Sequence, residues 1–172
     1  MFVLGIDPGL TRCGYGCLEK GGEGRSRKPR AVAAGVIRTD PKMELPKRLA
    51  EMQSEIRALI RELRPEAVAI ERVLFQQNVS TAMSVGMVSG IVMAEAAQLG
   101  CDVIEYSPNE VKESVAGWGG ADKDEVGKMV QTLLDLPKRL APADAADAVA
   151  VALCHLARVP ARPARLSAGE RR

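Results

Sequence analysis

The stretch Phe2-Val3-Leu4-Gly5-Ile6-Asp7-Pro8-Gly9 decides the fold. Five consecutive residues that are apolar or glycine, with no polar alternation, fit a strand buried on both faces, and Pro-Gly directly after it marks a turn. The single charge, Asp7, ends the run. In open α/β sheets, ligands collect beyond the carboxyl ends of the strands, so Asp7 stands where chemistry is expected. An aspartate before proline also suits a plain turn. The rest of the chain must choose between the two.

Outward from this strand, residues 13–18 and 31–37 read as two more strands, with short or turn-rich links. The three together form an antiparallel meander. The segment 20–30 between the second and third carries six charges, five of them basic, as a solvated turn would. From 41 to 64 the apolar residues Leu45, Leu49, Met52, Ile56, Leu59, Ile60 and Leu63 follow helical spacing, and Pro65 ends that helix. Residues 67–70 make a short apolar strand that delivers Glu71 at its carboxyl end. A long helix between two strands is the crossover that parallel pairing needs.

A polar loop leads into a helix over 80–98 that is apolar nearly all round and must be covered on every side. Gly86 and Gly90 share one face and permit close approach, either within the chain or at a dimer seam. A fifth strand spans 102–105, and a helix over 108–115 starts at Ser107 with Glu110 three residues on. The loop 116–120 carries Trp118 between glycines. Helices at 123–134 and 143–157 complete the pattern, and 159–172 reads as a disordered basic tail after a single domain over 1–158. The expected fold is α/β: a five-stranded mixed sheet, three strands antiparallel and two parallel, flanked by helices.

Composition sets bounds on function. At 172 residues, with 47% hydrophobic and 27% charged residues, the chain fits one ordinary globular domain that needs no staples. Cys13 and Cys17 on one strand would stand roughly 13 Å apart, twice the reach of a disulfide, so reduced cysteines are expected. No basic segment precedes an apolar one at the start, and the apolar run around 81–97 is interrupted by Ser84, Ser89 and Glu95. A cytoplasmic protein with no membrane contact is expected. A net charge of +2 does not by itself announce a polyanionic partner.

The last helix opens Ala143-Asp144-Ala145-Ala146-Asp147, with two acids on one face among small residues. First-turn acids can merely cap a helix or offset its dipole. Taken with Asp7 and Glu71, however, they make four carboxylates that an α/β arrangement can bring together. Clustered carboxylates repel unless protonated or bound to cations, and an all-oxygen set suits Mg²⁺ or Mn²⁺. Two such ions per site would serve displacement at a phosphodiester. His155 lies too far along the same helix to join that set and reads as a polar residue at a helix end.

The order LGIDPGLTRCGYG, AVAIERV, FQQN, YSPNEVKESVAGWGGADKDEV and APADAADAVAVALCHL resembles the RuvC family of Holliday-junction resolvases, from Met1 to about Arg158. The resemblance implies a ribonuclease H-like fold and a homodimer. It also implies Mg²⁺-dependent nicking of two strands symmetrically across four-way junction DNA, and work beside the RuvA-RuvB branch-migration complex. Asp7, Glu71, Asp144 and Asp147 would be the metal-binding catalytic acids. Lys112 and Lys123 would contact phosphates near the scissile strand, with Asn78 a further DNA contact. Family members commonly place an aromatic wedge three residues after the strand-four glutamate; Leu74 stands there and Phe75 follows, so either supplies the wedge. Trp118 suits core anchoring or nucleic-acid stacking. The alternatives are a non-catalytic junction-binding module and an actin-like phosphotransferase, the latter suggested by the strand-Asp-Pro-Gly turn.

Overall fold

The computed structural model describes residues 1–21, 28–72 and 79–159. Strand β1 (Phe2–Asp7) is the central strand of a five-stranded sheet. On one side it pairs antiparallel with β2 (Arg12–Glu19), which pairs antiparallel with β3 (Arg30–Arg38). On the other it pairs parallel with β4 (Ala67–Glu71), followed by β5 (Asp102–Tyr106). The order β3-β2-β1-β4-β5 is the expected meander with two parallel strands added. Val3, Leu4 and Ile6 are wholly buried, as a strand with no polar alternation requires.

Each face of the sheet has its own core. On one lie helices α1 (Leu45–Leu63) and α2 (Val79–Gln98), which bury Met52, Ile56, Val88 and Val92 against Leu4, Ile6, Cys13 and Ile70. On the other lies α5 (Ala143–Arg158), itself covered by α3 (Pro108–Ala116) and α4 (Lys123–Leu133). This second core joins Val149, Val151 and Leu153 to Val3, Leu18, Val111 and Val130.

Helix α5 sits on the strands through their glycines. A Cβ added at Gly5 would stand 2.1 Å from the Ala148 carbonyl oxygen, and one at Gly14 would stand 2.1 Å from that of Asp144. The facing helix positions are Ala145, Ala148 and Ala152, all buried. Strand and helix backbones therefore meet without intervening side chains.

Local features correct or narrow the sequence-based expectations. Helix α1 begins at Leu45, not 41, because Asp40 Oδ1 accepts the Lys42 N–H at 2.9 Å in a turn and Pro46 occupies the first helical turn. Leu45 is consequently exposed and outside the buried stripe. His155 stands in the last turn of α5, as expected, and is buried there, with Nδ1 3.0 Å from the Tyr106 hydroxyl. Trp118 does not anchor the core; it is 54% exposed, with its ring lying against Gly120.

Other expectations hold. Ser107 and Glu110 form a capping box, as do Asp122 and Glu125, which sequence analysis did not single out. The four cysteines are free. No helix among the described residues is long and apolar enough to cross a membrane. The segment 22–27 of the basic turn and the tail from 160 onward lie outside the described residues.

The glycine seat yields a stability prediction. Gly5→Ala forces a methyl into backbone and should cost at least the ~1–3 kcal/mol of an overpacked core, read as a lowered urea midpoint with unchanged slope.

Candidate active site

Parallel pairing of Ile6 with Ile70 places the next residues, Asp7 and Glu71, side by side at the carboxyl ends of the two central strands. Strand alternation puts Val3, Gly5 and Asp7 on the α5 face of β1, and Ala69 and Glu71 on that face of β4. Gly14, the cross-strand partner of Asp7, is the residue on which the Asp144 backbone rests. The seat that holds α5 thus brings its first turns, with Asp144 and Asp147, over the ends of β1 and β4.

The two helix acids are held by cations. The Arg12 guanidinium donates to Asp144 Oδ2 through Nε at 3.0 Å and through Nη2. Lys123 Nζ donates to Asp147 Oδ2 at 2.9 Å. Neither acid is the N-cap of its helix, a position that Pro142 takes with no side-chain cap bond. Arg12 went unnoticed in the sequence. Its only signal there is its place two residues before Gly14, hence on the same strand face.

Asp7 is pushed up to about 7, first by burial, then by the charges of Glu71 and Asp147, with Asp144 adding and Lys123 opposing. Glu71 is raised as well, by burial and then by Asp147, against the pull of Lys123 and Lys112. Asp144 is lowered, chiefly by its hydrogen bond from Arg12. Asp7 therefore lies within electrostatic reach of the other three acids, and Glu71 within that of Asp147. They do not close into a single ligand shell: among the described residues, no three acid, histidine or cysteine side chains are grouped as they stand to hold one ion. Two acids, both raised, stand side by side, and two face cations.

The remaining candidates divide. Lys112, on α3, acts on Glu71, and Lys123, on α4, acts on Asp7, Glu71 and Asp147. A cleft of about 120 Å³ opens beside Asp147, lined by Val126, Leu140 and Ala146 with Lys123 and Arg139. Leu74, Phe75 and Asn78 lie outside the described residues.

A mixed sheet of this order, with acids at the ends of its two central strands and a helix that brings two more, defines a ribonuclease H-like nuclease architecture. The sequence model of the family "Crossover junction endodeoxyribonuclease RuvC" matches residues 3–155, and the chain belongs to that family. It is similar to the crossover junction endodeoxyribonuclease RuvC of Salinispora arenicola, 47% identical over 171 residues, covering 99% of this chain and 96% of the relative. The Thermus thermophilus RuvC structure matches with TM-score 0.84 at 36% identity, covering 91% of this chain and 94% of that one. The same protein in complex with Holliday junction substrate matches at 0.83 and 36%, covering 90% and 92%. Family membership leaves the phosphotransferase alternative without support.

The raised Asp7 makes stability depend on pH. Below its unfolded value of 3.8 both states hold the proton; between there and about 7 only the folded state does, so stability falls as pH rises across that window. In EDTA, Asp7→Asn should therefore raise the thermal midpoint at pH 8, with the gain shrinking through pH 7 and vanishing near pH 4.

Proposed function

We propose that this chain is a structure-selective endodeoxyribonuclease that resolves four-way (Holliday) junctions by nicking two strands symmetrically, in recombination and repair. The observation that carries the reading is the seating of α5 on Gly5 and Gly14, which sets Asp144 and Asp147 above Asp7 and Glu71. A protein in this family bound to Holliday junction substrate supports the choice of DNA.

Asp7, Glu71, Asp144 and Asp147 are assigned as catalytic and metal-holding acids. Their donor set is entirely oxygen, and mutual repulsion contributes to the rise of Asp7 and Glu71, so the residues fit a hard divalent cation. Such an ion, Mg²⁺ or Mn²⁺ and two per site, supplies Lewis acidity at the scissile phosphate and an acidified water. The chain's own part is to hold the acids on rigid elements, so that a phosphate meets a fixed constellation. Arg12 and Lys123 neutralise Asp144 and Asp147 meanwhile, and each must yield when those acids take up other partners. Lys112 and Lys123 offset the negative rim and position phosphates without reading sequence.

The enzyme acts as a homodimer in this reading, each protomer aiming one site at one strand, since a twofold assembly suits a twofold junction. The exposed side of α2 supports this: Met83 and Met87 lie open, and Gly86 and Gly90 have free space beside them. The RuvA-RuvB complex is the proposed partner in branch migration, and the compartment is the cytoplasm.

Two tests follow from these assignments. Asp7→Asn should keep junction binding and lose Mg²⁺-dependent nicking by more than ~100-fold, the loss typical of even an outer-shell metal partner. Wild-type-like nicking by that variant overturns the acid assignment, and a wild-type protein that binds but never nicks favours the non-catalytic module. Met83→Glu should shift the sedimentation mass from two chains to one and replace paired nicks by single ones.

A further inference from the structure

Across the carboxyl end of β1 and β4 and the adjoining ends of β2 and β3, the residues facing α5 form a row whose charge changes sign. On β4 and β1 they are Glu71 and Asp7; on β2 and β3 they are Arg12 and Arg38, which are cross-strand partners in register. Ile37 faces the opposite core, which puts Arg38 on the α5 side with Arg12. Directly opposed residues on antiparallel strands have Cβ atoms about 4.5–5.5 Å apart, and like charges so placed destabilise the sheet.

Only half of this arginine pair is compensated. Asp144 takes Arg12, whereas Arg38 is exposed and makes no ion pair among the described residues. On the opposite face of the sheet, Arg48 of α1 braces the same strand ends and makes no ion pair among the described residues. It donates to the Thr39 hydroxyl at 3.0 Å and the Thr11 hydroxyl at 2.7 Å, and Thr39 in turn donates to the Leu10 carbonyl at 2.5 Å. This chain of bonds ties the ends of β2 and β3 to the β1–β2 turn and stiffens the strand ends that carry Arg12 and Arg38 on the other face. Lys112 and Lys123 already flank the acids from α3 and α4, the other side of the row. A DNA strand crossing a cluster of acids needs phosphate anchors before and after it, and a guanidinium suits a phosphate by charge and by paired donors.

We propose that Arg38, opposite Arg12 at the end of β3, binds a backbone phosphate of the cleaved DNA strand on the side of the catalytic acids away from Lys112 and Lys123. The inference rests on the endonuclease reading above. A phosphate there relieves the like-charge pair and gives the strand its second fixed point. Arg38 thereby sets which phosphate lies over Asp7.

The test is equilibrium binding of the full chain to a synthetic four-way junction in EDTA across a series of salt concentrations. Arg38→Gln should lower the slope of log Kd against log salt by about two, one lost phosphate contact from each protomer of the dimer on the junction. Arg38→Lys should restore it. Arg30→Gln, at the far end of the same strand and paired with Glu19, should leave it at the wild-type value. In the wild type, one neutral methylphosphonate on each of the two cleaved strands should reproduce the loss, and pairing the two with Arg38→Gln should add nothing. An unchanged slope for Arg38→Gln, or additive losses at every methylphosphonate position, overturns the proposal and leaves the nuclease reading standing. A wild-type protein that binds no junction overturns both.

Discussion

The close approach of α5 to β1 and β2 is the constraint on which the rest of the molecule depends. No Cβ fits at Gly5 or Gly14, and the helix answers with alanines at 145, 148 and 152. Contact between bare backbones sacrifices the large side chains that usually fill the gap between helix and sheet. What it gains is position, because a helix resting on backbone cannot tilt or slide as one resting on flexible side chains can. The lost burial is recovered on the far side of α5, where α3 and α4 cover Val151, Leu153 and Cys154. That helix is consequently buried along most of its length, a central rod between sheet and outer helices.

Position matters because the site is electrostatically costly. Asp7 and Glu71 are both raised by burial and by negative neighbours, an arrangement that packing alone would not retain. Arg12 and Lys123 moderate it by holding the two helix acids, one from the sheet and one from α4. The four carboxylates thus fall into a raised pair on two strands and a pair of salt bridges on one helix. Such strain between neighbours is what a functional site shows and a purely structural one avoids.

Much of this was legible in the chain. The unbroken apolar run before Asp7 identifies the central strand, the helical stripe after it identifies the crossover, and the acids at strand ends mark the candidate site. The capping box at Ser107 was readable because its residues are local. Long-range pairing was not: Arg12 and Asp144 are 132 residues apart, and only the strand register brings them together. The signal that was there and went unused is the alternation of Gly14 and Gly16 on one strand, matched by small residues at helical spacing in α5. Burial of a charge inside an apolar helix was also hidden, since nothing near Glu95 in sequence announces its partners. The burial of His155 in the last turn of α5 was not legible, because its partner Tyr106 is 49 residues away on β5.

Glu95 has its own consequence. It is 1% exposed on α2, and both of its oxygens are taken by α1: Oε2 by Arg57 Nε at 2.7 Å, Oε1 by Arg57 Nη2 at 2.7 Å and by Gln53 at 2.6 Å. A buried, fully satisfied ionic latch of this kind resists shear between two helices, because sliding either one strands a charge in an apolar layer. In the proposed pairing through α2, that latch would make each half of the dimer a stiff arm. The span between the two cutting sites would then be a fixed dimension of the protein. The assembly would work as a caliper, accepting a branched DNA whose two strands present themselves at that spacing and passing over linear duplex that cannot.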